Sequence, residues 1–108
     1  MKRGDFVTIS IQGDFGKPRS ALVTQSDLFD AHATVTVLPV TSVLVEAPLL
    51  RPTLQPSAAN GVRKPSQIMV DKAMTLKRDK IGPAFGHLDA VAMVEIERRS
   101  AVFLGIAE

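Results

Sequence analysis

The fold class of this 108-residue chain is decided by one stretch, Ala33-Thr34-Val35-Thr36-Val37-Leu38-Pro39-Val40-Thr41-Ser42. Apolar residues alternate with threonines through its first half, and this pattern predicts the strongest β-strand in the sequence. Pro39 has no backbone N–H, so we expect it at a sheet edge or at a bulge near the end of the strand. Thr41 and Ser42 place two hydroxyls at the strand end. There they can donate to a phosphate or a developing oxyanion, or satisfy backbone groups of the turn.

Further strands are predicted on both sides of this stretch, because short runs rich in β-branched or apolar residues alternate with Gly/Pro-rich turns. The predicted strands are 6–11, 19–24, 51–55 and 66–76. The predicted loops and turns are 12–18, 57–61, 77–80 and 81–83. The Asn60-Gly61 pair is the clearest turn signal among them. A short turn of helix is predicted at 26–30.

The last segment predicts a helix over 88–106, because no glycine or proline occurs between 87 and 104. Asp89 is its expected N-cap. Met93, Ile96, Phe103 and Leu104 are expected to share one helix face. Together the elements predict a single domain spanning 1–108, a small and mainly antiparallel β-barrel with a C-terminal helix.

The composition excludes several kinds of site. There is no cysteine, so the chain has no disulfide, no thiolate nucleophile and no Cys-based zinc site. His32 and His87 are far apart, so we expect no metal and no cofactor. The absence of Trp and Tyr argues against an aromatic RNA-binding platform of several rings. No apolar run approaches the ~18 residues of a membrane span, and we expect a cytoplasmic protein with no membrane partner.

Charge is concentrated in the middle of the chain. Residues 50–80 carry seven basic and two acidic side chains, a net charge of +5. This segment either faces a polyanion or is a solvated surface that happens to be basic. Arg19 follows the first Gly/Pro loop, where a guanidinium can hold a phosphate with two hydrogen bonds or simply lie at the surface of a strand end. Asp71 could act as an acid or base, or pair with Lys72.

Six stretches, in order along the chain, resemble the motifs of one protein family. They are Lys2-Arg3-Gly4-Asp5-Phe6-Val7, Lys17-Pro18-Arg19-Ser20-Ala21-Leu22-Val23, Val35-Thr36-Val37-Leu38-Pro39-Val40-Thr41-Ser42, Val70-Asp71-Lys72-Ala73-Met74-Thr75-Leu76, Asp79-Lys80-Ile81-Gly82 and Phe103-Leu104-Gly105-Ile106. Four of them are similar to the "R-G-D-I", "R-P-A-L-V", "P-V-T-S" and "D-Q-x-R-T-I" motifs of the MazF/PemK-type toxins. The resemblance covers essentially the whole chain.

The resemblance implies an SH3-like barrel of the kind shared with CcdB toxins, a homodimer, and a cognate antitoxin that blocks the active groove. It also implies a metal-independent endoribonuclease that cuts single-stranded mRNA and leaves a 2′,3′-cyclic phosphate. By motif position, Arg19 matches the catalytic arginine, Thr41 the threonine that contacts the scissile phosphate, and Asp71 the acid or base. We expect the RNA to be bound by Lys17, Ser42, Arg51, Arg63, Lys64 and Lys72.

The sequence also departs from the family pattern. Its first loop is short and lacks the glutamate or histidine found there in the family, for which Asp14 is a possible replacement. Lys72, Met74 and Met69 stand where family members carry polar or basic residues. Two alternative functions therefore stay open. One is a CcdB-like poison of DNA gyrase, loosely suggested by the ending 103–106, and the other is a non-catalytic barrel that binds a protein or RNA.

Overall fold

The computed structural model describes residues 1–11 and 17–107. Within them the chain forms seven β-strands, three short 3-10 turns at 27–29, 70–72 and 78–80, and one α-helix. The strands are β1 (Asp5–Ile9), β2 (Arg19–Val23), β3 (Thr34–Thr41), β4 (Thr53–Leu54), β5 (Ser66–Ile68), β6 (Met74–Lys77) and β7 (Ile81–His87), and the helix is α1 (Ala90–Phe103). The expected mainly antiparallel β fold with a C-terminal helix is confirmed.

The strand predicted to decide the fold lies at the centre of the sheet. One edge of β3 pairs with β2, with Ser20 opposite Val40 and Leu22 opposite Leu38. Its other edge is shared: the first half pairs with β6 and the end with β5. The full order is β4-β5-β3-β2-β1-β7, with β6 beside β3, and all pairs are antiparallel.

Alternation along the strands buries both faces of the curled sheet, because side chains two residues apart share a face. Phe6, Leu22 and Leu38 pack beneath α1 together with its residues Met93 and Ile96. The opposite face has a second cluster, composed of Val7, Ile9, Ala21, Val23, Val35 and Val37. The sheet therefore curls over one core and carries the helix on the other.

The helix begins as predicted but buries fewer residues than expected. The Asp89 carboxylate accepts a hydrogen bond from the backbone N–H of Ala92 at 2.8 Å, so it caps the helix. Phe103 and Leu104 were expected on the face of Met93 and Ile96, but they are 47% and 65% exposed. The core therefore covers only the part of this face that Met93 and Ile96 form. Among the described residues, no helix has both the length and the apolar character needed to cross a membrane.

Three details of the strand prediction are also wrong. The stretch 66–76 is two strands joined by the turn at 70–72, because Val70 leaves the ladder to enter the helix-side core. The residues 81–83, interpreted as a closing turn, begin strand β7 (Ile81–His87), whose proline is tolerated because β7 is an edge strand. Pro39 lies in the interior of the sheet. Its carbonyl bonds Met69 N–H at 2.8 Å, so its nitrogen faces the gap where β6 has ended and β5 begins.

Candidate active site

A groove of about 880 Å³ lies on the helix side of the sheet, beyond the part that α1 covers. Its floor is one row of residues across three strands: Thr8 lies opposite Ser20, and Ser20 lies opposite Val40. Each of these positions lies two residues from a buried core residue of its strand: Thr8 from Phe6, Ser20 from Leu22, and Val40 from Leu38. The same alternation that fills the core therefore continues into the groove floor.

Arg19 and Thr41 both line this groove. Arg19 begins β2 and Thr41 ends β3, and extending the register by one residue from Ser20 opposite Val40 places them opposite each other. The two residues singled out from separate motifs, 22 positions apart in sequence, are thus neighbours across a strand pair. A guanidinium and a hydroxyl are both hydrogen-bond donors suited to phosphate oxygens.

The hydroxyl of Thr41 already has one partner. Its oxygen accepts a hydrogen bond from the backbone N–H of Val43 at 3.1 Å. The turn-stabilising alternative for this residue is therefore correct, and it is compatible with a second role. Because the oxygen is the acceptor in that contact, the hydroxyl proton stays available for donation. Ser42 lines the groove beside it.

The loop after Thr41 is held by the buried side chain of Gln67, which is 5% exposed. Its Oε1 accepts from the N–H of Val45 at 3.0 Å, and its Nε2 donates to the carbonyl of Val45 at 2.9 Å. The amide thus pairs with the loop as a further strand residue would. The strand end that carries Thr41 is fixed from both sides as a result.

The basic residues of the middle segment divide between two sides of the molecule. Arg63 and Lys64 line the groove, together with residues that sequence reasoning missed: Thr8, Gly61, Val62, Met69 and Phe85. The alternation of β1 could have indicated Thr8. No local pattern indicated the others, since strands and turns distant in sequence bring them together.

Asp71 does not line the groove. It pairs with Arg51, whose Nε lies 3.0 Å from Asp71 Oδ1, and both side chains are only 17% exposed. The hydrogen bond from Arg51 outweighs the opposing effect of burial and holds the pKa of Asp71 below its usual value. A catalytic acid must keep a proton near neutral pH, so this environment disfavours the expected acid role. Asp71 is thus the ion-pair partner of Arg51 rather than chiefly of Lys72, and its role as acid or base stays a prediction.

The other expected RNA-binding residues outside the groove have local explanations. Arg51 lines a second cavity of about 370 Å³ against α1. Lys72 is exposed, with its Nζ 4.0 Å from Asp71 Oδ2. Lys17 is exposed and precedes Pro18, which does line the groove. These three placements do not support contact with an RNA strand in the groove of this protomer.

The remaining candidate acid–base residues are equally separate. His87 Nδ1 lies 2.8 Å from Asp5 Oδ1, outside the groove. Burial alone would raise the pKa of Asp5, but the hydrogen bonds from His87 and from the N–H of Lys2 hold it below its usual value. The carbonyl of His32 accepts from Arg78 at 2.9 Å. Asp14, suggested as a replacement for the missing loop residue, lies outside the described residues.

Comparison with known families gives a match over most of the chain. The model of a family described as "PemK-like, MazF-like toxin of type II toxin-antitoxin system" matches residues 2–104. A relative from Mycolicibacterium smegmatis (strain ATCC 700084 / mc(2)155), named probable endoribonuclease MazF, is 44% identical over 108 residues. The alignment covers 99% of each of the two chains.

Solved structures share the fold at lower sequence identity. An endoribonuclease in complex with its cognate antitoxin, from a Mycobacterial species, superposes with a TM-score of 0.83 at 19% identity, over 100% of this chain and 98% of that one. A MazE–MazF complex from Deinococcus radiodurans gives a TM-score of 0.78 at 22% identity, over 97% and 96% of the two chains. At these identities the likeness bears on the fold alone.

Proposed function

Because the chain belongs to the family of PemK-like, MazF-like toxins of type II toxin–antitoxin systems, we propose that its groove is the active site of an endoribonuclease that cuts single-stranded mRNA without a metal ion. The observation that carries the proposal is the placement of Arg19 and Thr41 on adjacent strand ends in one groove. A guanidinium and a hydroxyl that line the same groove can both stabilise the negative charge that develops on phosphoryl oxygens.

The reaction needs stabilisation of charge more than it needs covalent chemistry. The 2′-oxygen of the RNA bonds to phosphorus and loses its proton, while the P–O5′ bond breaks and the 5′-oxygen gains a proton. The products are a 2′,3′-cyclic phosphate and a 5′-hydroxyl. Negative charge rises on the phosphoryl oxygens as the phosphorus becomes five-coordinate. Arg19 neutralises that charge with its guanidinium, and Thr41 donates its hydroxyl proton to the same oxygens.

The group that accepts the 2′-hydroxyl proton has to be sought outside the described residues that line the groove. None of the described residues that line the groove is a carboxylate or a histidine. Asp14 lies five residues before Arg19 in the sequence, between the end of β1 and the start of β2. We assign it as the group to be tested for removal of the 2′-hydroxyl proton. Asp71 has no part in the proposed mechanism.

Arg63 and Lys64 bind the strand that passes through the groove. Both line it and both are exposed, so their charges can replace the counterions that surround RNA phosphates. This explains why only part of the basic middle segment serves nucleic acid. We therefore keep the polyanion-facing interpretation for Arg63 and Lys64. Lys72 is a solvated surface residue, and Arg51 is the largely buried ion-pair partner of Asp71.

The proposed partners are single-stranded RNA, a second copy of the chain and a cognate antitoxin, all in the cytoplasm. Exposed apolar residues next to the groove support protein contacts there: Val43, Leu44 and Val45 are 70%, 51% and 45% exposed. Exposed apolar surface of this kind is a usual feature of interaction sites. An antitoxin seated on this loop would cover the strand end that carries Thr41, and so would block the groove.

A gyrase poison, the first alternative, has no observation in its favour. Only a loose sequence similarity of the ending 103–106 suggested it, and the relative that matches over 99% of this chain is named a probable endoribonuclease. Retention of the fold without catalysis, the second alternative, is an outcome of the cleavage experiment.

The proposal is tested by incubating the purified, antitoxin-free protein with mixed-sequence single-stranded RNA in EDTA. We expect fragments that end in 2′,3′-cyclic phosphate. Arg19→Ala should reduce the rate about 100- to 1,000-fold, the usual effect of removing one charge-stabilising donor. Arg98→Ala is the matched control, since Arg98 is 77% exposed on α1, pairs with Glu95 at 3.8 Å and does not line the groove.

The same assay separates the remaining roles. Asp14→Asn should abolish cleavage if this carboxylate takes the 2′-hydroxyl proton, and it should leave RNA binding intact. Intact RNA after incubation with a folded, antitoxin-free protein would refute the endoribonuclease, and binding without cleavage would support the non-catalytic alternative. Equal rates for Arg19→Ala and Arg98→Ala would remove Arg19 from the site.

A further inference from the structure

Phe85 owes its position to an irregularity in the sheet. Along the β1–β7 pair, Phe6 lies opposite Gly86 and Val7 lies opposite Ala84, so Phe85 is an extra residue with no partner on β1. A bulge of this kind redirects a side chain, and bulges are common next to active sites. The ring of Phe85 lies 6.2 Å from that of the fully buried Phe6, with 29° between the planes. It is nevertheless 37% exposed and lines the groove.

The turn at 57–61 holds this ring in place. A Cβ on Gly61 would come within 2.9 Å of Phe85 Cδ1 and 2.5 Å of its carbonyl oxygen, so only a glycine allows the turn to lie so close. A Cβ on Gly86 would likewise lie 1.9 Å from the carbonyl oxygen of Asn60. The backbone N–H of His87 completes the contact by donating to the carbonyl of Ala59 at 2.9 Å.

The turn is itself rigid, because the buried side chain of Asn60 bonds three backbone groups. Its Oδ1 accepts from the N–H groups of Ser57 at 3.0 Å and Val62 at 2.9 Å, and its Nδ2 donates to the carbonyl of Gln55 at 2.8 Å. The residues that follow the turn, 62–64, therefore leave it in a fixed direction beside Phe85. An aromatic ring and two cationic side chains are presented to one groove by one rigid unit.

An exposed ring next to two cations matches the chemistry of a nucleotide. A base offers a flat π-face that stacks on an aromatic ring, whatever its sequence, and its phosphate is an anion. Of the four phenylalanines that the structure describes, Phe85 is the one that lines the groove. A platform of several rings, which the composition argued against, is not needed for this contact.

We propose that Phe85 is a base-binding position of the groove, on which one unpaired base of the RNA stacks while Arg63 and Lys64 bind the adjoining phosphate. This inference rests on the proposed ribonuclease function and adds to it. By fixing one base relative to Arg19 and Thr41, the ring determines which phosphodiester reaches them. Phe85 is a binding and positioning residue that takes no part in proton transfer.

Binding is measured with 2′-deoxy oligonucleotides, which lack the nucleophile and are not cut. A series of otherwise identical strands has one abasic position each, and fluorescence anisotropy gives the affinity. For the wild-type protein we expect one position at which loss of the base weakens binding about 5- to 150-fold, the usual effect of one base–aromatic stack. Phe85→Leu should weaken binding to the intact strand by a similar factor and should be insensitive to the abasic site at that position. Phe85→Tyr should behave as the wild type.

Two controls separate stacking from folding. Phe29→Leu is the matched variant, because Phe29 is 56% exposed and does not line the groove. Thermal denaturation shows whether loss of the Phe6 contact has destabilised Phe85→Leu. If that variant does not fold, the wild-type protein still tests the proposal: 2-aminopurine placed at successive positions should be strongly quenched at one of them on binding.

The outcomes distinguish the two proposals. If the wild type cuts RNA but Phe85→Leu binds every strand as the wild type does, or the abasic penalty persists in that variant, the base-binding position is wrong and the ribonuclease stands. Absence of quenching at every 2-aminopurine position would also overturn it. If the abasic and quenching results are as expected but no RNA is cut, the base-binding position stands and the ribonuclease fails.

Discussion

Replacing Asn60 with alanine removes the three side-chain hydrogen bonds that fix the turn at 57–61. The side chain is 5% exposed, and its contacts at 2.8–3.0 Å leave the amide in one orientation, since only its oxygen can accept from two N–H groups. A hydrogen bond of this kind contributes about 1 kcal/mol net to stability. Three of them predict a loss of about 3 kcal/mol in the free energy of unfolding.

That loss should lower the melting temperature by roughly 12–24 °C, at about 4–8 °C per kcal/mol for a domain near 100 residues. Urea denaturation at fixed protein concentration measures the free energy of unfolding directly. The slope of that free energy against urea concentration should equal the wild-type slope if the native state keeps its compactness. Asn60→Asp keeps an acceptor for the two N–H groups and loses the donor, so its melting temperature should fall between those of the alanine variant and the wild type. Ala58→Ser, on the exposed side of the same turn, should change stability by less than about 0.5 kcal/mol.

The reasoning also requires an effect on the groove, because the turn presents Arg63 and supports Phe85. At a temperature where Asn60→Ala is fully folded, its affinity for single-stranded RNA should fall while that of Ala58→Ser does not. A stability loss below about 1 kcal/mol, or an unchanged affinity, would show that the Asn60 side chain does not organise this part of the groove.

Three further predictions concern other parts of the molecule. Gln67→Leu should lower the free energy of unfolding by about 2 kcal/mol and speed hydrogen exchange at the backbone N–H of Val45, because both side-chain hydrogen bonds to Val45 are lost. Unchanged exchange at that N–H would contradict the role of Gln67 in holding the loop. Arg63→Gln should reduce the slope of log affinity against log salt by about 0.7 for single-stranded RNA, whereas Lys72→Gln should leave it unchanged. Since the pKa of Asp71 is lowered in the folded state, its ion pair stabilises the protein above the unfolded-state pKa of about 3.9, and this contribution is lost as the pH falls through the folded-state value. The free energy of unfolding should therefore drop more between pH 6 and pH 3 for the wild type than for Asp71→Asn, and equal drops would show that the ion pair adds no stability.

Local patterns predicted the elements whose signals are confined to a few residues. The alternation through Val35 and Val37 marks the central strand, and Asp89 caps the helix because a cap depends only on the next three residues. The same patterns failed at β7, where glycine and proline indicated a turn. Pairing with β1 overrides that preference, since an edge strand with two irregularities accommodates residues that an interior strand does not.

The candidate site likewise contains residues that the sequence could predict and residues whose placement only the tertiary structure shows. Arg19 and Thr41 could be proposed from their strand-end positions and from family motifs, and both lie in the groove. Asp71 carries an equally suggestive motif, yet it is bound to Arg51, and no sequence pattern places those two residues together. The basic segment behaves likewise: its net charge can be read from the sequence, but which of its side chains face the groove cannot.

The sequence by itself determined the class of fold, the central strand and the strand-end positions of Arg19 and Thr41, because periodicity, capping and turn chemistry act over a few residues. Tertiary structure alone decided that Asn60, Gly61, Gly86 and Phe85 form one unit beside the groove. That unit forms because Phe85 has no partner on β1 in the β1–β7 pair. It also requires the backbone of the turn at 57–61 to pack in van der Waals contact with the backbone of β7. Such contacts join residues about 25 positions apart, and they exist only once the sheet has curled.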